Sequence, residues 1–364
     1  MRNIVLCLGL VSAIGCTKSD FTAGSMQQNP GNNNNNSGDV TEPPPPPVVA
    51  PENPGLEEPG TDGGEGGEQI EFDTEFDTFL RQCIADEMTA KHGGPIAPRV
   101  LTETLEDYAT KDIETTKDFE TLADLILRDV VDADGLINYN KLRGELSVQW
   151  GKIAAAIPNT DIVISPRGTS RNAAMAFWSN IYNLLMIDVI VNNPQARNVS
   201  TDIGFGLFDE KKSVSGTQLS LNEIEKGIMR LGEEGDKLPA PEALLLDVVE
   251  PRLHYTIVCG AISCPRIRNF LYRADNIEKA LIENNYDTVN SEEFFYVEDN
   301  EFLIYGGLFF FYPSDTALMY GANWEGLTES MIPACRSDIA LIEQIIPTGE
   351  IYDDPYIWDV NEQL

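Results

Sequence analysis

The fold is organised around residues 173–187, which read AAMAFWSNIYNLLMI. Apolar side chains surround nearly the whole circumference of a helix built from this stretch, and a helix that is apolar all round is normally buried. Asn180 and Asn183 are three residues apart and therefore share one face of it. A buried amide without a partner costs about 1–3 kcal/mol, so both side chains need hydrogen bonds. The stretch predicts a central, buried helix over residues 173–191.

The two amides leave two interpretations open. Most side-chain hydrogen bonds go to backbone or water, which favours bonding of Asn180 and Asn183 to the backbone of a neighbouring loop. The alternative is that both amides line a catalytic site together with His254. That alternative makes them candidate site residues.

Residues 250–266, EPRLHYTIVCGAISCPR, form the second informative stretch, with one of the two histidines and two of the six cysteines of the chain. Residues 252–259 alternate, which predicts a half-buried strand. Leu253 and Tyr255 fall on its core face, and His254 falls on the opposite face. The sequence therefore predicts a strand that presents a histidine away from the core.

The segment after this strand predicts a reactive thiol. Proline is favoured at the first position of a helix, so Pro265 places Cys264 where an N-cap residue would be. The helix dipole, together with Arg266 and Arg268, would lower the pKa of a thiol at that position. Cys264 is the candidate nucleophile and His254 its candidate base, although the loop between them must turn back beside the strand.

Two further patterns complete the secondary structure. Ser220 and Glu223 form a capping box, which predicts a helix extending to Leu231. Residues 301–305 and 308–312 are rich in aromatic and β-branched residues and predict two strands joined through a diglycine turn. Together with the central helix, these elements predict an α+β fold with the helix packed on an antiparallel sheet.

The composition excludes several classes of partner. The chain has 364 residues and a formal net charge of −34. Such an excess of acid disfavours nucleic acid and anionic membrane surfaces as partners. Metal binding by His254, Cys259 and Cys264 is a weak hypothesis, because a regular strand points His254 and Cys259 in opposite directions. We therefore expect neither a cofactor nor a metal.

The N-terminus predicts export. Arg2 is followed by the apolar residues 4–14, a run too short to span a bilayer and typical of a signal peptide. It ends in Ala13-Ile14-Gly15-Cys16, which resembles the lipobox of bacterial lipoproteins and implies that Cys16 is lipidated. The alternative is a soluble secreted protein cleaved nearby. We expect a lipid-anchored protein of the bacterial cell envelope, in the outer membrane and on its periplasmic or surface face.

The remaining domain organisation follows from composition. Residues 1–15 are the predicted signal peptide. Residues 16–70 contain asparagine, proline and glycine–acid runs, which predict a disordered tether. Residues 71–364 are predicted to form one domain. The expected partners are membrane lipid through Cys16 and an unidentified substrate or envelope protein.

Four cysteines remain once the signal peptide is removed and Cys16 is lipidated: Cys83, Cys259, Cys264 and Cys335. The envelope is oxidising, so disulfides are allowed, and four cysteines permit three pairings. A Cys259–Cys264 bond would close a short loop, and Cys83 could pair with Cys335. A free thiol at Cys264 also remains open.

Several segments together resemble the family named domain of unknown function 547, over roughly residues 120–364. The shared motifs are Phe-Trp-x-Asn-x-Tyr-Asn at 177–183, Leu-Ser-Leu-x-x-Ile-Glu at 219–225 followed by Arg230, Pro-Arg-x-His at 251–254, Cys-Gly at 259–260, Ser-Cys-Pro at 263–265, an aromatic-Tyr-x-x-Asp segment at 311–315 and a Tyr-x-Trp-x-x-Asn segment at 356–361. Glu250 replaces the usual aspartate, and Ile357 interrupts the last motif. Through these motifs the resemblance marks Trp178, Glu225 and Arg252 as candidate binding residues.

The resemblance supplies no established activity. The expected fold is distantly similar to transglutaminase-like and papain-like cysteine enzymes, which place their nucleophilic cysteine at the start of the buried helix. Residues 171–176 contain no cysteine, which argues against a conventional member. Two functions stay open: a thiol-dependent hydrolase or acyl-transferase acting on peptide or amide substrates, and a non-catalytic binding or scaffold lipoprotein. A Cys259–Cys264 disulfide would favour the second.

Overall fold

The computed structural model describes residues 74–166, 169–231, 241, 244–354 and 356–363. These residues belong to one compact unit, Gln69–Leu364. The predicted signal peptide, Cys16 and the predicted tether lie outside the described residues. They therefore remain predictions.

Helices dominate the described residues, and the strands are few and short. The α-helices are α1 (Thr74–His92), α2 (Asp107–Thr110), α3 (Thr116–Val130), α4 (Tyr139–Arg143), α5 (Ser147–Ala156), α6 (Arg171–Val191), α7 (Ile277–Asn290), α8 (Leu308–Phe311), α9 (Pro313–Tyr320) and α10 (Ile339–Ile345). Among the described residues, two π-helices span Val199–Ile203 and Glu223–Met229, and four 3₁₀-helices span Phe205–Asp209, Pro251–Tyr255, Leu327–Ser330 and Ile346–Thr348. The strands are β1 (Lys212–Val214), β2 (Thr217–Leu219), β3 (Phe295–Glu298), β4 (Phe302–Gly306) and β5 (Ile351–Asp354).

Helix α6 is the predicted central helix. Ser170 caps it by accepting a hydrogen bond from the backbone N–H of Ala173. Its side chains are buried on nearly every face, and it packs against α4, α7 and the π-helix Glu223–Met229. By length and composition α6 could cross a membrane, yet 72% of its most apolar window is buried inside the protein. It is therefore the core helix of this unit.

The strands form two small sheets, which confirms the α+β class. Strands β1 and β2 make an antiparallel hairpin, whereas β4 pairs antiparallel with β3 and parallel with β5. Residues 299–301 join β3 to β4; Asp299 and Asn300 both have positive φ, and the N–H of Glu301 donates to the carbonyl of Glu298. The larger sheet is therefore mixed, and α6 packs mainly on helices.

The predicted strand over residues 252–259 is wrong. Residues Pro251–Tyr255 form a 3₁₀-helix, which Glu250 begins by accepting a hydrogen bond from the backbone N–H of Arg252. Side-chain amides replace a neighbouring strand in the segment that follows. Asn183 donates to the carbonyl of Thr256 and accepts from the N–H of Val258. Because these amides satisfy the backbone, the segment needs no strand partner.

Two other predicted elements are also wrong. The chain after Pro265 forms no helix up to Tyr272. There Asp124 accepts from the N–H of Leu271, while Asn180 bonds both backbone groups of Tyr272. Residues 308–312, predicted as a strand, begin with helix α8 instead.

A disulfide joins the first described helix to the C-terminal third of the chain. Cys83 of α1 is bonded to Cys335, with 5.6 Å between their Cα atoms and a sequence separation of 252. The sulfurs lie in a small apolar cluster that includes Leu80, Met88 and Ile332. This bond closes a very long loop.

Candidate functional site

A cavity of about 340 Å³ lies beside the 3₁₀-helix that carries His254. We call it the His254 cavity. Its walls come from the 3₁₀-helix Phe205–Asp209, the π-helix Glu223–Met229, the loop at residues 259–265 with its two cysteines, α8, and residues 356–358 near the C-terminus. The lining residues are Tyr182, Phe205, Phe208, Asp209, Asn222, Glu225, Lys226, His254, Ile257, Cys259, Cys264, Pro265, Leu308, Phe311, Tyr312, Tyr356 and Trp358.

A buried network of charged groups holds His254. The side chain is 5% exposed, and its Nε2 lies 2.6 Å from Oδ2 of Asp315. The Nε of Arg230 donates to the same oxygen at 2.7 Å. Burial raises the pKa of Asp315, but the hydrogen bonds from His254 and Arg230 outweigh burial and hold that pKa below its usual range. Asp315 is thus an anion that orients the imidazole ring.

The other ring nitrogen of His254 points toward a second carboxylate. Its Nδ1 lies 3.8 Å from Oε1 of Glu225. The ring also stacks on Tyr312, with 3.8 Å between centroids and 27° between planes. With Nε2 committed to Asp315, Nδ1 is the nitrogen that can exchange a proton with a group in the cavity.

Two phenols hold Glu225 in the cavity wall. Tyr182 donates to its Oε2 at 3.1 Å, and Tyr312 donates to its Oε1. Burial, followed by the charge of Glu225, raises the pKa values of both tyrosines well above the ordinary value. The phenols therefore stay protonated and act as donors. The predicted capping box positions this carboxylate, because Ser220 and Glu223 exchange their two hydrogen bonds at the start of the π-helix.

The cavity also contains a disulfide between Cys259 and Cys264. The hydroxyl of Tyr356 lies 3.0 Å from each sulfur, and the backbone N–H of Cys259 donates to the sulfur of Cys264 at 2.9 Å. In this oxidised form Cys264 contacts Tyr356 rather than His254. The predicted free nucleophile is therefore absent until the bond is reduced.

The predicted cause of thiol activation is wrong. No helix starts at Pro265, so no helix dipole acts on Cys264. Arg266 instead donates to Asp77 at 2.8 Å, and the Nε of Arg268 donates to Asn284 at 2.6 Å. The polar groups beside the Cys264 sulfur are the N–H of Cys259 and the hydroxyl of Tyr356.

The structure does not bring the two asparagines of α6 into the cavity. The side-chain amide of Asn183 donates to and accepts from the backbone of residues 256–258. The side-chain amide of Asn180 does the same with the backbone of Tyr272. The idea that Asn180 and Asn183 share a site with His254 is therefore wrong. The interpretation with loop backbone as their partner agrees with the structure.

Of the three candidate binding residues, Glu225 lines the cavity. Arg252 does not, because it makes two hydrogen bonds of 2.7 Å to Glu250 and lies 3.6 Å from Glu278. Trp178 is buried in the core and meets Phe177 edge to face, with 4.9 Å between ring centroids. Both side chains therefore support the fold rather than the cavity.

Sequence reasoning missed the residues that organise the site. Asp315, Tyr312 and Tyr356 lie in the C-terminal motifs of the family resemblance, and Arg230 follows the Leu-Ser-Leu motif. The motifs mark these residues as shared with the family, but no spacing pattern in the sequence indicates that they lie next to His254. Within the described residues, no group of three His, Cys, Asp or Glu side chains is arranged to hold a metal ion.

The comparisons with known proteins agree with the resemblance. No curated protein and no solved structure matches the chain. One family matches residues 166–287, a range that contains Glu225, His254 and both cavity cysteines and that ends before Asp315. Residues 166–287 of this chain match the family described as Protein of unknown function, DUF547.

Proposed function

We propose that this protein is a lipid-anchored protein of the bacterial cell envelope whose domain is a thiol-dependent hydrolase or acyl-transferase acting on peptide or amide substrates. One observation carries the catalytic part. His254 is held through Nε2 by Asp315, its Nδ1 lies near Glu225, and His254, Glu225 and Cys264 line the same cavity. A buried histidine oriented by a carboxylate in a cleft with a cysteine is the arrangement that nucleophilic catalysis needs.

Two features support the envelope. The sequence through Cys16 has the order of a lipoprotein signal, with a basic residue, an apolar run, a small residue, glycine and cysteine. The Cys83–Cys335 and Cys259–Cys264 disulfides are characteristic of proteins that leave the reducing cytosol. The net charge of −34 is consistent with a domain that does not bind an anionic membrane surface itself.

In the proposed reaction the disulfide is the resting form of the nucleophile. A cellular dithiol reduces it by thiol–disulfide exchange, becoming oxidised while Cys259 and Cys264 gain the two electrons and two protons. The N–H of Cys259 and the hydroxyl of Tyr356 then stabilise negative charge on the sulfur of Cys264. His254 accepts the proton of this thiol at Nδ1.

The Cys264 thiolate then attacks the carbonyl carbon of an amide. A carbon–sulfur bond forms, the carbon–nitrogen bond breaks, and protonated His254 gives its proton to the departing amine. Water attacks the thioester in a hydrolase, and an amine attacks it in an acyl-transferase. In either case His254 takes a proton from the attacking water or amine, the carbon–sulfur bond breaks, and the thiolate of Cys264 is released. Asp315 stabilises the imidazolium in each step, and Arg230 keeps Asp315 anionic.

A specific observation favours the second candidate, a non-catalytic binding protein. The disulfide leaves no thiol in the oxidised protein, and the cavity walls are rich in aromatic side chains. In an oxidising compartment the bond can persist. The cavity would then bind a ligand without chemical change.

The pH dependence of alkylation separates the two candidates. The Cys259→Ser variant leaves Cys264 as a thiol in every redox state. With Cys259→Ser in the mature protein, we expect iodoacetamide to modify Cys264 with an apparent pKa below that of an ordinary thiol. In the double variant Cys259→Ser/His254→Ala this pKa should rise. The Cys335→Ser variant, which frees Cys83 away from the cavity, serves as the thiol control.

Equal reactivity of Cys264 with and without His254 contradicts the catalytic proposal and leaves the binding candidate. If the histidine dependence is present, reduced wild type and Cys259→Ser should release amine from a mixture of peptide amides. Cys264→Ser should release none.

A further inference from the structure

Aromatic rings form the rim of the His254 cavity. The five rings of this aromatic rim are Phe205, Phe208, Phe311, Tyr356 and Trp358. Trp358 lies at its centre, with ring centroids 4.8 Å from Phe205, 4.5 Å from Tyr356 and 6.2 Å from Phe311. Phe205 is 53% exposed and Phe311 48% exposed. Clustered exposed aromatic side chains at a cavity mark a surface that binds something.

The groups below the rim are acidic and phenolic. Glu225 lines the cavity and accepts hydrogen bonds from the hydroxyls of Tyr182 and Tyr312, and Asp209 lines the cavity as well. Arg230 lies close by but is paired with Asp315. Lys226 lines the cavity and takes part in an interaction of its own. The carboxylate of Glu225 has about four acceptor positions, and the two tyrosines occupy two of them. The other positions are available to a bound cation.

Aromatic faces and a carboxylate together recognise ammonium groups. A ring quadrupole attracts a cation at its face, and cages of several rings are used for alkylated ammonium ligands. The same site gives no comparable gain to an anion, which the carboxylates would repel. The net charge of −34 also raises the local concentration of cations around the protein.

We propose that the His254 cavity binds the ammonium group of its substrate, a primary or alkylated amine such as the side chain of a lysine in a peptide. The aromatic rim surrounds the cation, and Glu225 is its counter-ion. The inference deepens the proposed function by naming the substrate class, and it rests on that function only for the reaction that follows binding. Binding itself is measurable in the unreduced protein, where no chemistry occurs.

A matched pair of small probes tests the proposal. Choline carries a trimethylammonium group, and 3,3-dimethylbutan-1-ol is its neutral isostere. Isothermal titration of the mature, oxidised protein should show choline binding about tenfold or more tighter than the isostere, the range expected for a desolvated cation–π site. The cation preference should fall in Glu225→Gln, whose amide oxygen still accepts from one tyrosine and whose NH2 group can donate to the hydroxyl of the other.

Two rim variants complete the experiment. Trp358→Leu should weaken choline binding while retaining an apolar wall. Tyr352→Leu removes an exposed aromatic ring outside the cavity and should leave the affinity unchanged. Equal or tighter binding of the neutral isostere, or no binding of either probe, overturns the inference. If choline binds as expected but Cys264 alkylation ignores His254, the catalytic proposal fails and the ammonium site stands.

Discussion

The Nε2 of His254 lies 2.6 Å from the Oδ2 of Asp315, although the two residues are 61 positions apart in sequence. One residue belongs to a 3₁₀-helix and the other to the first turn of α9. Arg230, from a third element, donates to the same carboxylate. The contact fixes which nitrogen of the imidazole faces the cavity, and every proposed catalytic step depends on it.

Replacing Asp315 with Asn tests this contact. The change removes the buried carboxylate that Arg230 and His254 share, and breaking a buried pair costs about 3–5 kcal/mol. We expect Asp315→Asn to lower the free energy of unfolding, measured in urea, by an amount of this size. It should also raise the alkylation pKa of Cys264 in the Cys259→Ser background. Asp338→Asn, which breaks the Arg336–Asp338 pair, is the control and should leave that alkylation pKa unchanged.

Acid should destabilise the protein through the same residue. The folded-state pKa of Asp315 is held below its unfolded value of 3.8, so its contribution to stability is present above that value. The contribution is lost as the pH falls through the lower, folded-state pKa. Wild type should therefore lose free energy of unfolding below about pH 4 more steeply than Asp315→Asn. Parallel pH curves from urea unfolding would contradict this assignment.

Asn183 is expected to act through stability rather than chemistry. Its amide satisfies the buried carbonyl of Thr256 and the buried N–H of Val258. Asn183→Ala leaves both groups unpaired, at a cost of about 2–4 kcal/mol. We expect this loss in urea unfolding. Asn192→Ala, at an exposed helix end, should cost little, and a fully stable Asn183→Ala protein would be inconsistent with this role.

The two disulfides should differ in their effect on stability. In the chain-entropy description the Cys83–Cys335 bond, with a sequence separation of 252, stabilises by about 5 kcal/mol. The Cys259–Cys264 bond, with a separation of 5, stabilises by about 2 kcal/mol. Urea unfolding of Cys83→Ser/Cys335→Ser should therefore show the larger loss, with Cys259→Ser/Cys264→Ser as its matched control. The reverse order would contradict the loop-length argument.

The proposed lipid anchor has its own test. Cys16→Ser removes the acceptor of the lipid, so the protein should move from the membrane fraction to the soluble fraction of lysed cells. Cys7→Ser lies in the predicted signal peptide and should leave the protein in the membrane fraction. A Cys16→Ser protein that still sediments with membranes would show that the anchor lies elsewhere.

The sequence by itself determined the elements whose partners are close in the chain. The apolar run at 173–187 predicts α6, because a helix that is apolar all round must be buried. Ser220 and Glu223 predict the start of the next helical segment, because a capping box is completed within four residues. Both features are local, so the pattern alone identifies them.

Only the tertiary structure decided the backbone conformation of residues 250–266, the segment with His254, Cys259 and Cys264. Its alternation is typical of a strand, but Asn183 and Asn284 bond its backbone in place of a neighbouring strand. The pairing of His254 with Asp315, and of Cys83 with Cys335, joins residues far apart in sequence. No periodicity connects such residues. Their contacts exist because the chain folds back on itself around its buried core, which brings residues distant in sequence next to each other.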